Sequence, residues 1–155
     1  MSVEAAKKHL EKFGLANRVM EFDVSSATVE LAAQAVGCAP AMIAKTLSFD
    51  VDGTPTLIVA AGDAKIDNPK YKAQFHTKAR MLSHDEVAQK IGHAVGGVCP
   101  FGVQDGVAVY LDESLKRFET VYPACGSANS AVPLSIEELE SSAGSLAWID
   151  VCKNW

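Results

Sequence analysis

The sequence predicts an α/β fold, in which a single domain contains a mixed β-sheet flanked by helices. Three observations support this prediction. The chain has 155 residues, a length typical of one domain. Its 48% hydrophobic and 21% charged residues are close to the averages for globular proteins. Segments with helical periodicity alternate with segments of strand periodicity, and one pair of strand segments forms a predicted hairpin. We therefore expect residues 1–155 to form one domain without linkers or repeats.

Three segments near the start of the chain predict helices. Apolar side chains recur every three or four positions in the first two, and a glycine follows each of them. The third begins with a proline, which suits the first turn of a helix. These predicted helices span Val3–Phe13, Ser26–Val36 and Pro40–Ala44.

From Lys45 onwards the period changes to two, which predicts strands. Apolar and polar residues alternate up to Val51, and Asp52–Gly53 is a typical hairpin turn before the apolar return strand Thr56–Ala61. Further strands are predicted at Val107–Leu111, Thr120–Pro123 and Ala147–Val151. Two capping boxes, Ser83–Glu86 and Ser135–Glu138, each flanked by a hydrophobic staple, mark the starts of two later helices.

Composition excludes several classes of protein. The formal net charge of −5 argues against a general nucleic-acid coat. The four cysteines contain no C-x-x-C spacing and the four histidines no metal-ligand spacing, so we expect neither a disulfide framework nor a metal or other cofactor. No apolar stretch approaches the roughly 20 residues needed to span a bilayer, and the charged N-terminus lacks a signal core. These observations predict a cytoplasmic protein without a membrane partner.

Lys45 is the first candidate functional residue. Strand alternation places it on the same row as Leu47 and Phe49, where a lysine is costly unless its ammonium reaches water, a partner or a substrate. One interpretation is a lysine at a strand end whose ammonium extends into solvent. The other is a cation directed into a pocket between the sheet and the helices.

The segment Gly96–Gly102, here called the glycine loop, is the second candidate. Its three glycines allow close approach of a ligand to main-chain N–H groups, as in an anion nest or oxyanion hole, although an ordinary turn has the same composition. Cys99 within this loop is a candidate nucleophile, but a catalytic thiol needs a base or another group that lowers its pKa. His93 is six residues upstream, and the sequence does not show whether the two side chains meet, so packing is the favoured interpretation for Cys99.

Two further features have both functional and ordinary interpretations. The segment Gly126–Pro133, here called the serine loop, is either a polar connector or a source of hydrogen bonds from Ser127 and Asn129 beside the glycine loop. A cluster of five basic residues is either a set of phosphate-binding side chains or a solvated surface. The cluster consists of Lys65, Lys70, Lys72, Lys78 and Arg80.

Taken together, these segments resemble the YbaK/prolyl-tRNA synthetase-associated domain family, which edits misacylated tRNA. The resemblance covers most of the chain in order, and its most specific part is the combination of Ile-Ala-Lys-Thr at 43–46 with Gly-Gly-x-x-Pro-Phe-Gly in the glycine loop. Its other parts are Thr28–Gly37, Ala61–Asp63, Lys78–Arg80, Ser83–Gly92, Val109–Leu115 and Gly126–Leu139.

The resemblance implies an α/β fold with a mixed, partly barrel-like sheet and hydrolysis of an aminoacyl ester on tRNA. Lys45 matches the family's functional lysine near the tRNA 3′ end, and Gly96–Pro100 matches its G-x-x-x-P loop. Asn129 matches an asparagine found in some branches, whereas Cys99 lies where relatives often have serine or threonine. The expected catalytic residues are Lys45, Gly96 and Gly97. The expected substrate-binding residues are Val98, Cys99, Pro100, Phe101, Gly102, Gly126, Ser127 and Asn129, and the basic cluster is expected to bind tRNA.

The resulting hypothesis is a freestanding aminoacyl-tRNA deacylase. Its expected substrate is tRNA-Pro carrying alanine, cysteine, serine, threonine or 2-aminobutyrate, hydrolysed by a positioned water. Prolyl-tRNA synthetase or an elongation factor is expected as a transient partner. Two alternatives remain: a non-catalytic tRNA- or synthetase-binding module of the same fold, and a Schiff-base enzyme that uses Lys45.

Overall fold

Helices and strands alternate along the chain in the computed structural model, which describes residues 2–155. The α-helices are α1 (Ser2–Glu11), α2 (Val29–Val36), α3 (Asn68–Phe75), α4 (His84–Lys90) and α5 (Ile136–Ala143). The strands are β1 (Met20–Glu21), β2 (Ile43–Val51), β3 (Thr54–Ala61), β4 (Lys65–Ile66), β5 (Ala108–Asp112), β6 (Thr120–Pro123), β7 (Ser130–Ala131), β8 (Leu134–Ser135), β9 (Ala147–Ile149) and β10 (Cys152–Lys153). Short 3₁₀ helices span Ala16–Arg18, Pro40–Met42 and Glu113–Arg117.

Six of these strands form a curled, mixed sheet in the order β8-β6-β2-β3-β5-β9. The β2–β3 hairpin lies at its centre, with Lys45 opposite Ala60. Strands β6 and β5 join this hairpin in parallel on its two sides, β9 continues parallel to β5, and β8 is antiparallel to β6. The predicted α/β fold with a mixed, partly barrel-like sheet is confirmed. Two small antiparallel pairs, β1–β7 and β4–β10, complete the strand pairing among the described residues.

Strand β3 is the centre of the hydrophobic core. The five consecutive residues Leu57–Ala61 have no exposed surface, so both faces of the strand are covered. Helix α3 packs on the sheet through Tyr71, whose ring lies 5.2 Å from that of Phe49 in β2, and through Phe75, whose ring lies 5.3 Å from that of Tyr110 in β5. This helix was not predicted, because Tyr71 is its only buried residue and it therefore has no apolar face to detect.

Several element boundaries differ from the predictions, and hydrogen bonds explain two of the differences. Helix α2 begins at Val29, because Ser26 N donates to Ala128 O (2.6 Å) and Thr28 is the N-cap. Strand β2 begins at Ile43, because Ile43 and Ala44 pair with β6, and the predicted helix from Pro40 therefore ends at Met42.

Both predicted capping boxes are present. Ser83 N donates to Glu86 Oε1 (3.0 Å), and Glu86 N donates to Ser83 Oγ (3.2 Å). The equivalent distances at Ser135 and Glu138 are 2.9 and 3.1 Å. These reciprocal bonds satisfy the first N–H groups of α4 and α5.

Among residues 2–155, no helix combines the length and apolarity that a membrane span requires.

Candidate functional site

The candidate site is a cavity of about 390 Å³ between β2, the segment preceding α2, α4 and the glycine loop. This volume lies within the range of about 300–1,000 Å³ typical of small-molecule sites. Of the predicted site residues, Lys45, Gly96 and Val98 line this cavity. The structure therefore brings the lysine of β2 and the start of the glycine loop together across about fifty residues of sequence.

Lys45 contributes a cation that no carboxylate neutralises. Its side chain is half-buried, and Nζ donates to the main-chain oxygens of Gly62 (3.4 Å) and Ala64. The nearby carboxylate of Asp63 is bound in bidentate fashion by Arg117, at 3.0 and 2.5 Å. Within the described chain Lys45 forms no ion pair, and burial lowers its pKa below the usual value for lysine. Two carbonyl oxygens orient the ammonium without cancelling its charge, so it remains able to bind an anion or a carbonyl oxygen.

The glycine loop and the serine loop are in direct contact. Gly97 O accepts a hydrogen bond from Gly126 N (3.1 Å), and Gly97 N donates to Ala94 O (3.0 Å). A Cβ atom at Gly97 would lie 2.5 Å from Ser127 N, so only glycine fits between the two backbones. The predicted residues Gly96, Gly97, Gly126 and Ser127 thus form one packed unit at the side of the cavity.

Two main-chain donors of the glycine loop have no acceptor. Within the described chain, the N–H groups of Gly96 and Val98 make no hydrogen bond, whereas the intervening N–H of Gly97 does. Gly96 has a φ of +96°, a left-handed conformation that favours glycine. Since both residues line the cavity that contains Lys45, these N–H groups are candidate donors for a bound oxygen.

Asn129 does not line the cavity. Its Nδ2 donates to Phe22 O (3.0 Å), and its own main-chain oxygen accepts from Phe22 N (2.8 Å). Ser127 Oγ donates to Asn129 Oδ1 (2.8 Å) and lies 2.8 Å from Ser130 Oγ. The neighbouring Ser130, which was not predicted, does line the cavity. Asn129 and Ser127 therefore anchor the serine loop and position Ser130.

Cys99 and His93 meet, but in the core. Cys99 Sγ lies 3.5 Å from His93 Nε2, and both residues have 1% or less of their surface exposed. His93 Nε2 is 2.6 Å from Phe101 O, which can only accept, so this nitrogen carries the hydrogen and is not a base toward the thiol. Burial raises the pKa of Cys99 well above its usual range and lowers that of His93. This arrangement disfavours a thiolate nucleophile.

The second half of the glycine loop faces away from the cavity. Cys99 and Phe101 are fully buried, and Pro100 and Gly102 line a different depression beside α1. A Cβ atom at Gly102 would lie 2.5 Å from Ala5 O, which shows how closely the loop approaches that helix. These four residues hold the loop on the core, and of the glycine loop only Gly96 and Val98 border the cavity.

The five residues of the basic cluster differ in their pairing. Lys70 Nζ donates to Asp150 (3.0 Å) and to Cys152 O (2.8 Å), and Arg80 is paired with Asp50 (2.5 Å). The other three form no ion pair within residues 2–155 and are exposed: Lys65, Lys72 and Lys78. These three retain a charge available to an external phosphate.

Sequence reasoning missed most of the polar lining of the cavity. The polar side chains concerned are Ser26, Thr28, Thr46, Ser48, His84, Tyr122 and Ser130. Thr46 Oγ1 is buried without a hydrogen-bond partner in the described residues. Thr46 and His84 did lie in recognised motifs, next to Lys45 and in the Ser83 capping box, but no local pattern distinguished them.

Among residues 2–155, no three His, Cys, Asp or Glu side chains are arranged to hold a metal ion.

Comparison with known protein families assigns the chain to one of them. The chain belongs to the aminoacyl-tRNA editing domain family, whose family model matches residues 23–141. The resemblance to the YbaK/prolyl-tRNA synthetase-associated family is thereby confirmed.

Individual relatives agree with this assignment. The uncharacterized protein YwhH of Bacillus subtilis (strain 168) is 54% identical over 156 residues, covering 100% of this chain and 99% of that protein. Proline–tRNA ligase of the same organism is 32% identical over 73 residues, which are 46% of this chain but only 13% of that enzyme. The crystal structure of a candidate trans-editing enzyme for prolyl-tRNA synthetase has a TM-score of 0.88 and 29% identity, covering 98% of this chain and 97% of that one.

Proposed function

We propose that this protein, as a single freestanding domain, hydrolyses the ester bond of misacylated tRNA. The observation that carries the proposal is that one cavity is lined by Lys45, whose ammonium no carboxylate neutralises, and by Gly96 and Val98, whose N–H groups are unpaired within the described chain. Membership of an editing-domain family supports the same reaction class.

The reaction requires stabilisation of negative charge on the ester carbonyl oxygen. A water oxygen forms a bond to the carbonyl carbon, the water gives up a proton, and the carbonyl oxygen becomes an oxyanion. As the carbonyl re-forms, the bond between the acyl carbon and the ribose oxygen of tRNA breaks, and the ribose oxygen takes up the proton that the water has lost. The N–H groups of Gly96 and Val98 and the ammonium of Lys45 are the proposed donors to the oxyanion and the adjoining oxygens. Fixed main-chain donors are effective here because they need no reorganisation as the charge develops.

The size and the lining of the cavity support a proposal about the substrate. Its apolar lining includes Ala32, Ile43, Leu47 and Val87, which suits a small aminoacyl side chain. We propose tRNA-Pro carrying alanine, cysteine, serine, threonine or 2-aminobutyrate, with the larger, ring-shaped proline excluded by contact. A pocket that selects between two side chains differing by one methylene group discriminates only about 10–200-fold. A site that edits the tRNA therefore has to exclude the larger, correctly attached proline by its size.

The proposed partner is aminoacyl-tRNA, with transient contacts to prolyl-tRNA synthetase or an elongation factor. Such a reaction belongs where tRNA is aminoacylated, so we propose that the protein acts in the cytoplasm. The sequence similarity to proline–tRNA ligases supports the choice of tRNA-Pro over other tRNAs.

The test is deacylation of a panel of tRNA-Pro species carrying each of the five amino acids and proline. We expect wild-type protein to hydrolyse at least one of the five and to spare prolyl-tRNA. Lys45→Ala should lower the rate by about 10²-fold or more, the effect expected for removal of one oxyanion donor. Lys8→Ala on α1, an exposed lysine that lies outside this cavity, is the matched control and should leave the rate unchanged.

Two results would contradict the proposal. Binding of every aminoacyl-tRNA without hydrolysis would favour the non-catalytic module. A near-wild-type rate for Lys45→Ala, with an unchanged circular dichroism spectrum, would remove the lysine from the mechanism.

A further inference from the structure

Two lysines face each other across the β4–β10 pair. The antiparallel register places Lys65 directly opposite Lys153, and both residues are exposed. Like charges opposite each other in a ladder are destabilising unless a counter-charge lies between them. Within the described chain neither lysine forms an ion pair, and the nearby carboxylates of Asp63 and Asp150 are bound by Arg117 and Lys70. The pair therefore presents two positive charges to an external anion.

An exposed aromatic ring lies beside this pair of lysines. Trp155 retains 44% of its surface, and its indole is oriented by a hydrogen bond from Nε1 to Cys152 O (3.3 Å), next to Lys153. The Arg117 guanidinium lies 5.4 Å from the ring centre. A ring held in this way offers its exposed part for stacking at little further cost in side-chain entropy.

Hydrogen bonds connect this surface to the cavity. Lys45 Nζ donates to Ala64 O, and Ala64 immediately precedes Lys65. Asp63, which Arg117 binds, lies between the two residues whose main-chain oxygens accept from Lys45. Lys45, the paired lysines and the tryptophan are thus linked through hydrogen bonds and directly neighbouring residues of the chain.

We propose that Lys65, Lys153 and Trp155 bind the unpaired 3′-terminal nucleotides of tRNA. Lys65 and Lys153 contact one phosphate, and Trp155 stacks on one base, so that the terminal ribose and its ester reach Lys45. Basic side chains combined with an exposed aromatic ring are the usual way of holding single-stranded nucleic acid, since a base within a duplex has no free face. This inference rests on the proposed function and specifies how that site receives its substrate.

The experiment measures binding of two unacylated RNA duplexes to the full chain by fluorescence anisotropy over a salt series. One duplex ends in four unpaired 3′ nucleotides, and the other has the same paired sequence with a blunt end. The variants are Trp155→Ala, Trp155→Phe and the double variant Lys65→Gln/Lys153→Gln. The control is Lys8→Gln/Lys12→Gln, which removes two exposed lysines of α1 and its following turn.

Each variant has a distinct expected result. Trp155→Ala should weaken binding of the RNA with the unpaired end by at least about fivefold, the lower limit for removal of one base stack, and leave binding of the blunt RNA unchanged. Trp155→Phe should retain most of the affinity, because it retains a stacking ring. The Lys65/Lys153 variant should lower the slope of log K against log salt by about 0.7, the value for one single-strand phosphate that the protein no longer neutralises. The α1 control should match wild type.

The inference is overturned if the tryptophan and lysine variants bind both RNAs as the wild type does. It is also overturned if Trp155→Ala weakens binding of both RNAs equally, because the ring would then not recognise an unpaired base. Since the RNAs carry no amino acid, the outcome is independent of hydrolysis. Binding that fails in the variants while the wild type hydrolyses no aminoacyl-tRNA would leave this inference standing and refute the proposed function.

Discussion

Cys99 illustrates how burial determines the chemistry of a single residue. Proximity to a histidine is the usual sign of an activated thiol, and Cys99 Sγ lies 3.5 Å from His93 Nε2. Both groups, however, are enclosed by the core, and the facing nitrogen is already used as a donor to Phe101 O. Desolvation disfavours the thiolate and the imidazolium together, so the pair stays neutral.

Cys99→Ala should therefore retain deacylation while losing a small amount of stability. The substitution removes one buried sulfur atom, which we expect to cost about 1 kcal/mol of unfolding free energy. Urea unfolding and the deacylation assay measure the two effects separately. Loss of the reaction at normal stability, or a thioester intermediate trapped on the wild type, would show that the thiol takes part in catalysis.

At the scale of elements, the contact between the glycine loop and the serine loop sets the shape of the site. Neither loop has regular secondary structure where they meet, and their packing depends on the absence of a side chain at Gly97. The backbone that presents the N–H groups of Gly96 and Val98 is consequently supported by the opposite loop, through Gly126 N.

Gly97→Ala tests this support. The added Cβ would lie 2.5 Å from Ser127 N, so the loops have to separate, at a cost of about 1–3 kcal/mol of stability. We expect deacylation to fall more than stability alone explains, because the donors of the glycine loop move. Gly106→Ala, at an open position with a φ of +87°, is the control: it loses stability through backbone strain but retains the reaction. Equal activities of the two variants would contradict the proposed importance of the packing between the loops.

The capping box of α4 gives a prediction about pH. Main-chain and side-chain hydrogen bonds from Ser83, with the ammonium of Lys90, lower the pKa of Glu86 to about 2. A carboxyl group whose pKa is lower in the folded state than in the unfolded state stabilises the fold by its full amount above the unfolded pKa. This stabilisation is lost as the pH falls through the folded-state pKa of about 2. We expect Glu86→Gln to be less stable than the wild type at pH 7 and this difference to shrink toward pH 2. Thermal unfolding at several pH values measures it, and a difference independent of pH would contradict the role of the charge.

At the scale of the whole molecule, the proposed function requires an acidic protein to bind a polyanion. The net charge of −5 provides no general attraction to tRNA, so local positive charge has to provide it. The structure shows that Lys70 and Arg80 are occupied by carboxylates, which leaves Lys72 and Lys78 as the free members of the basic cluster outside the β4–β10 pair.

The double variant Lys72→Gln/Lys78→Gln removes both of these charges and should weaken binding of tRNA and lower the salt dependence of binding. The slope of log K against log salt should fall by about 0.7–0.9 for each phosphate that the variant no longer neutralises. Single-turnover hydrolysis of bound substrate should change much less, in contrast to Lys45→Ala. An unchanged affinity and slope would identify these lysines as a solvated surface.

Much of the fold could be predicted from sequence because the features concerned are local. Both capping boxes join residues three positions apart, and the β2–β3 hairpin follows from alternation and one turn signal. The family could be recognised for a related reason, since its two motifs are short and stand in a fixed order. Helix α3 was missed because Tyr71 is its only fully buried residue, which leaves too little periodic pattern to detect.

The candidate site, by contrast, depends on contacts between distant parts of the chain. Lys45 and the glycine loop could each be selected from sequence, but their shared cavity, the packing of Gly97 against Ser127 and the anchoring of Asn129 on Phe22 arise only in the folded chain. The sequence by itself determined the local elements and the family, because hydrogen bonds and periodicity within a few residues specify them. Only the tertiary structure decided which donors remain free and which charges remain unpaired, because these depend on the neighbours that packing brings together.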